Sequence, residues 1–175
     1  MSMTRNASIL ALTLAAAAVA AVPAIAQESS VPSVVVAGGQ RSVFKIAVAP
    51  MLGDDAIAKT MQETAERDFT LSSLFQVLDS KSFSQSMVQE GLGMEPSSWR
   101  NVGAEGVVKG SSAAYGSRVK LVLRLFVVSR GREPVLQREY DVAQNEVKRA
   151  VHQFDNEVVK WFTGSPAFFG SRLVY

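Results

Sequence analysis

The sequence predicts an α/β domain in which a β-sheet is covered by two long amphipathic helices. Three observations carry this reading. Residues 118–127 alternate apolar and other side chains with a period of two, as a strand with one buried face does. Residues 55–71 and 146–163 repeat apolar side chains every three or four positions, as helices with one buried face do. Short β-branched runs lie between them, and two such helices need a sheet to cover.

Residues 1–26 read as an export signal. Arg5 gives a positive start, and the apolar run from Ala7 to Val22 is shorter than the roughly 20 residues that span a bilayer as a helix. Pro23 ends the run, and Ala24-Ile25-Ala26 offers small side chains for cleavage before Gln27. The expected location is therefore the periplasm, with a single domain over residues 27–165. The chain of 175 residues has no Cys, which removes thiol nucleophiles, thiolate metal sites and lipid attachment through a cysteine. Its single His leaves no ordinary zinc set, so no metal is expected. The net charge of +2 comes from basic residues scattered among acids, not from the clustered footprint that nucleic acid requires.

Along the mature chain, Ser33 to Ala37 and Ser42 to Ala49 read as strands joined by a turn at Gly38-Gly39, and Pro50 and Gly53 end the second. Asp54 is a plausible N-cap for a helix over Asp55 to Leu71, with Ile57, Met61, Ala65 and Phe69 on one face and Lys59, Glu63, Glu66 and Arg67 on the other. Leu74 to Leu78 is the next strand. Gly38-Gly39 precedes a strand instead of opening a helix, so no dinucleotide site is expected. Ser80 to Gly93 reads as a short helix and loop, Pro96 starts a helical turn carrying Trp99, and Glu105 to Gly110 is a strand.

From Arg118, Val119, Leu121, Leu123, Leu125 and Val127 form the buried face; Arg118, Lys120, Val122, Arg124 and Phe126 form the other. Gly131 allows a reversal and Val135 to Val142 returns, with Arg124 opposite Glu139 if the turn has two residues. The last helix carries the stripe Val147, Val151, Phe154, Val158 and Trp161, and Gly164 follows as its terminator.

His152 and Asp155 share a helix face one turn apart, the spacing of an acid–base dyad. No motif places a nucleophile beside them, and they flank the stripe, so a structural histidine is the reading. Arg149 is expected to pair with a carboxylate or a carbonyl. Glu63, Glu66, Asp68 and Glu90 offer carboxylates but no cleft that would face two of them together. No enzyme, cofactor or small-molecule substrate is expected.

Several stretches then act together. The last helix carries Arg149, His152 and Asp155 at three-residue steps, followed by Thr163-Gly164, Phe169, Arg172 and Tyr175. Earlier come Val48-Ala49-Pro50 and the spaced set Trp99, Gly103, Ala104, Val107, Val108 and Gly110. This pattern resembles the amino-terminal domain of the TolB family, periplasmic proteins of the Tol–Pal envelope system. Two positions depart from it: Ala167 stands where Gly is usual and Met51 where Phe is usual.

The resemblance implies a mixed β-sheet with two long helices packed on it. Structural roles are expected for the matched Trp99, Arg149, His152, Asp155 and Gly164, and for Phe154 from its place in the stripe of the last helix. The resemblance also implies that residues 166–175 are the start of a missing six-bladed propeller, the part that binds the peptidoglycan-associated lipoprotein. The start of the mature chain would bind the C-terminal domain of a TolA-like inner-membrane protein, through Glu28, Ser29, Ser30, Val31, Ser33, Val34 and Val36. An exposed end that runs into β-branched residues can add as a strand to a partner's sheet edge. The other open reading is a small periplasmic accessory domain that regulates another outer-membrane or cell-wall assembly machine.

Overall fold

The computed structural model describes residues 43–171. The export signal, the candidate segment 28–36, the expected strand at 33–37 and Leu173 to Tyr175 lie outside the described residues.

The elements follow in the order β1 (Phe44–Val48), α1 (Asp55–Leu71), β2 (Phe75–Val77), α2 (Gln85–Gln89), α3 (Pro96–Asn101), β3 (Gly106–Tyr115), β4 (Arg118–Val127), β5 (Leu136–Ala143) and α4 (Val147–Thr163). The five strands form one mixed sheet in the order β2-β1-β3-β4-β5. β1 runs parallel to β2 and β3, whereas β3, β4 and β5 are antiparallel.

The caps form as the sequence dictates. Asp54 is extended, and its Oδ1 accepts the N–H groups of Ala56 and Ile57 at 3.1 and 3.2 Å, satisfying two donors that the first turn leaves unpaired. Gly164 adopts φ 77° and ends α4 by donating its N–H to the Lys160 carbonyl. β3 continues five residues past the expected end at Gly110. Its partner β4 holds the modestly apolar stretch up to Tyr115 extended, closing a tight hairpin at Gly116.

α1 and α4 cover one face of the sheet. Ile46, Val48, Val108 and the β4 residues Val119, Leu121, Leu123 and Leu125 meet Met61, Ala65, Phe69, Val151, Phe154 and Val158 there. Gly110 leaves room on this face for its neighbours: a Cβ would come within 2.7 Å of Leu123 Cδ2 and the Met51 sulfur, and both side chains would have to shift. On the opposite face Phe83, Met87, Met94 and Trp99, from α2, α3 and the segments beside them, cover Ala47, Ala49, Val107 and Phe126. Phe126 is therefore core, not the solvent side of an alternating strand.

Two details differ from the sequence expectation. α4 turns its face so that Phe162 is buried while Trp161 is half-buried. Phe162 meets Phe44 and Phe75 at centroid distances of 4.3 and 5.4 Å, an aromatic cluster that sequence spacing alone does not reveal. Second, β4 passes into a 3-10 turn at Val128–Arg130, which lengthens the connection beyond two residues. Arg124 consequently faces Gln137, and Glu139 sits opposite Val122 and pairs with Lys120 at 3.1 Å. The shift is two residues, so every side chain keeps its face while its partner changes.

Candidate functional site

α1 and α4 lie side by side, and three titratable side chains meet between them. His152 Nδ1 is 2.5 Å from Asp68 Oδ2. Asp68 belongs to the buried stripe of α1, four positions beyond buried Thr64. Asp155 is fully buried, no donor reaches its carboxylate oxygens, and its neighbour for a hydrogen bond is the Asp68 carboxyl. Burial first, and the neighbouring Asp68 second, hold its carboxyl well above the usual carboxylate range. This corrects the expectation that His152 and Asp155 both flank the stripe. Asp155 lies one position from Phe154 and four from Val151, inside the face that α4 buries, and only His152 remains at its flank.

A cavity of about 560 Å³ opens beside this cluster, lined in part by Thr60, Thr64, Arg67, Lys148, His152 and Phe169. The two threonine hydroxyls are engaged, donating to the carbonyls of Ala56 and Thr60. The chain after α4 folds back over the same place. Asn156 Nδ2 donates to the Phe169 carbonyl while Asn156 Oδ1 accepts the Phe169 N–H, at 3.2 and 2.9 Å. Gly170 then packs so closely on His152 that a Cβ would lie 2.9 Å from the ring. The arrangement ties α1, α4 and the following segment together. Chemically it is an acid–imidazole pair, with the Thr60 and Thr64 hydroxyls of the same cavity committed to helix carbonyls.

Arg149 is exposed and lies 3.7 Å from Glu146 one turn earlier. Phe154 is at the centre of the helical core. Trp99 is completely buried on the other face, where its Nε1 donates to Glu90 Oε2 at 2.9 Å. The same oxygen accepts from Lys109 Nζ at 2.8 Å, and the ammonium sits 5.2 Å from the Trp99 ring centroid. Lys109 is 2% exposed. Burial lowers its pKa, and the Glu90 hydrogen bond and charge oppose that shift.

Sequence reasoning missed this cluster, although a signal was present. Lys109 interrupts the apolar run Val107-Val108 inside a strand expected to be buried. The Asp68–His152 pair was likewise legible only in halves. Among the described residues no group of three or more His, Cys, Asp or Glu side chains could hold a metal, and no helix is long and apolar enough to cross a membrane.

Comparison with known proteins extends this picture. Residues 32–134, more than half of the chain, match the TolB amino-terminal domain. The chain belongs to that family. A Tol–Pal system protein TolB from Anaeromyxobacter sp. (strain K) is 32% identical over 171 residues, covering 93% of this chain and 38% of the relative. The Tol–Pal system protein TolB of Myxococcus xanthus (strain DK1622) is 32% identical over 151 residues, covering 82% of this chain and 35% of its own length. This TolB-type chain thus spans well under half the length of the curated relatives it matches. The crystal structure of TolB from Acinetobacter baumannii shares the fold, with a TM-score of 0.61 at 20% identity over 73% of this chain and 30% of that one.

Proposed function

We propose that this TolB-type domain is a non-enzymatic periplasmic component of the Tol–Pal envelope system. In this reading it binds a TolA-like inner-membrane protein and so supports outer-membrane integrity, cell division and protein translocation. The observation that carries the proposal is the family match over residues 32–134, together with relatives named as Tol–Pal system proteins that match 93% and 82% of this chain. The geometry is compatible with a binding role. Its most perturbed acid is sealed in the core, and the hydroxyls beside His152 are spent on helix carbonyls.

Docking is assigned to Glu28 through Val36, by addition of this segment as a strand to the partner's sheet. The described sheet starts at Phe44, so deleting residues 27–36 removes no described strand. The peptidoglycan-associated lipoprotein is a partner only where a propeller is supplied.

The test is affinity for the C-terminal domain of the TolA-like protein, measured for the exported chain with and without residues 27–36. Binding should be lost in the shortened chain, with far-UV circular dichroism and the unfolding midpoint nearly unchanged. Equal affinity of both forms would overturn the assignment of the segment, and no affinity in either would overturn the partner.

A further inference from the structure

The two edges of the sheet are unlike. β2 offers only three residues, whereas β5 offers eight, paired with β4 along their whole length and with no strand on the far side among the described residues. Every second backbone N–H and C=O of such a strand points outward, a template for a further strand. The protection this edge carries is the charge of Arg138, Glu139 and Asp141, and other common protections are missing. Leu136–Ala143 contains no Pro, its register with β4 is unbroken by a bulge, and it is not short.

A groove of about 680 Å³ runs beside this edge, between β5 and the last turns of α4. Leu136 and Trp161 give it an apolar floor, both half-buried. Its walls carry Arg130, Arg138 and Lys160 against one carboxylate, Glu157, which Arg138 holds at 2.5 Å. The Arg130 guanidinium lies 5.1 Å from the Trp161 ring centroid, and Arg138 Nη1 donates to the Gln137 carbonyl of the edge strand at 2.9 Å. Arg138 and Glu157 offset one another and Arg130 lies against the Trp161 ring, so Lys160 is the cation of the lining that gives this groove its positive bias. The acids of β5 do not offset this bias. Glu139 and Asp141 alternate onto the opposite face, where Lys120 and Arg118 of β4 hold them at 3.1 and 2.8 Å.

We propose that the β5 edge and the cationic groove beside it receive an extended acidic segment of a partner protein, which adds as a sixth strand and lays alternate side chains over Trp161 and between Arg130, Arg138 and Lys160. Backbone hydrogen bonds to β5 give affinity without sequence preference, and the groove supplies the preference for carboxylates among apolar residues. A basic strand would meet like charge. This surface uses no part of residues 28–36, so it stands apart from the docking proposed above.

The probe is a labelled peptide of alternating Asp and Val long enough to span β5, titrated into the full exported chain by fluorescence anisotropy. Its companions are a Lys–Val peptide and an Asp–Val peptide methylated on alternate backbone nitrogens. The Asp–Val peptide should bind, quench Trp161 emission in the wild type but not in Trp161→Phe, and weaken with salt. The double variant Arg138→Glu/Lys160→Glu should lower its affinity by about tenfold or more. Methylation should abolish binding on the unaltered protein, which keeps the test independent of any variant's folding. Equal binding of the methylated peptide would reduce the site to plain charge attraction and overturn strand addition. Equal or tighter binding of Lys–Val, or no binding of any peptide, would overturn the proposal as well. So would a sedimenting dimer that the double variant converts to monomer, because the edge would then be filled by a second copy.

Discussion

On the face of the sheet covered by α1 and α4, Asp155 is fully buried and no donor reaches its carboxylate oxygens. On the opposite face Lys109, equally withdrawn from water, has Glu90 at 2.8 Å and the Trp99 ring beside it. Both groups face the cost of leaving water as ions, and the sheet resolves it in two ways. Lys109 keeps a counter-ion that is itself 15% exposed, so the pair retains a path to solvent. Asp155 is held in the neutral form by burial and by the adjacent Asp68, whose own partner is His152. A buried charge survives where a partner can reach it. Where the neighbour is another carboxyl, it takes up a proton.

The α1–α4 face has its own apolar cluster, and Phe154→Ala attacks that cluster directly. The ring is completely buried between helix and sheet, and its loss should cost about 4 kcal/mol, read as a shift in the denaturation midpoint. Glu90→Ala should follow at about 3 kcal/mol, because it strands the Lys109 ammonium and removes the acceptor of Trp99 Nε1. Adding Lys109→Met to that variant should recover part of the loss. Simple additivity in chemical denaturation would show that the two side chains do not act as a pair.

On the helical face, His152→Ala should cost roughly 1–3 kcal/mol, since Asp68 loses its hydrogen-bond partner while the imidazole was already partly exposed. A loss larger than that of Phe154→Ala would mean that the cluster, not the apolar stripe, holds α4 in place.

Asp155→Asn tests the neutral acid through pH. A carboxyl raised in the folded state carries no penalty below its unfolded value, about pH 4. As pH rises from there toward the folded value, the unfolded chain releases its proton first and stability falls. Thermal midpoints of the wild type should therefore include a declining component above pH 4 that Asp155→Asn lacks, and identical profiles would show the carboxyl to be ionised. Arg149→Ala should have the smallest effect, an unfolding midpoint unchanged within error, because its Glu146 contact is solvent-exposed.

Another titratable group at the same interface belongs to β5. Tyr140 turns toward α4, and burial pushes its phenol up to about 12 while its hydroxyl finds no partner. It marks the boundary between the sealed core around Asp155 and the open groove at Trp161. Toward the core, the Tyr140 hydroxyl is buried without a partner; toward the edge, Arg138 and Glu157 form an ion pair.

The amino-acid sequence by itself determined the elements that depend on neighbours a few residues apart. The period-two run of β4, the Asp54 cap, the apolar repeat of α1 and the Gly164 terminator are local patterns, and each produced the expected element. What depended on distant residues was decided only by tertiary structure. The β5 register shifted by two positions because the Val128–Arg130 turn, not cross-strand charge, sets the connection. The burial of Phe162 in place of Trp161 follows from where Phe44 and Phe75 lie in the sheet. The pairs Asp68–His152 and Glu90–Lys109 each join residues far apart in sequence, so no spacing rule within one element could reveal them. Hydrogen-bond geometry and burial are fixed by which surfaces meet, and the chain specifies that meeting only once the sheet, the two helices and the α2–α3 cover close together.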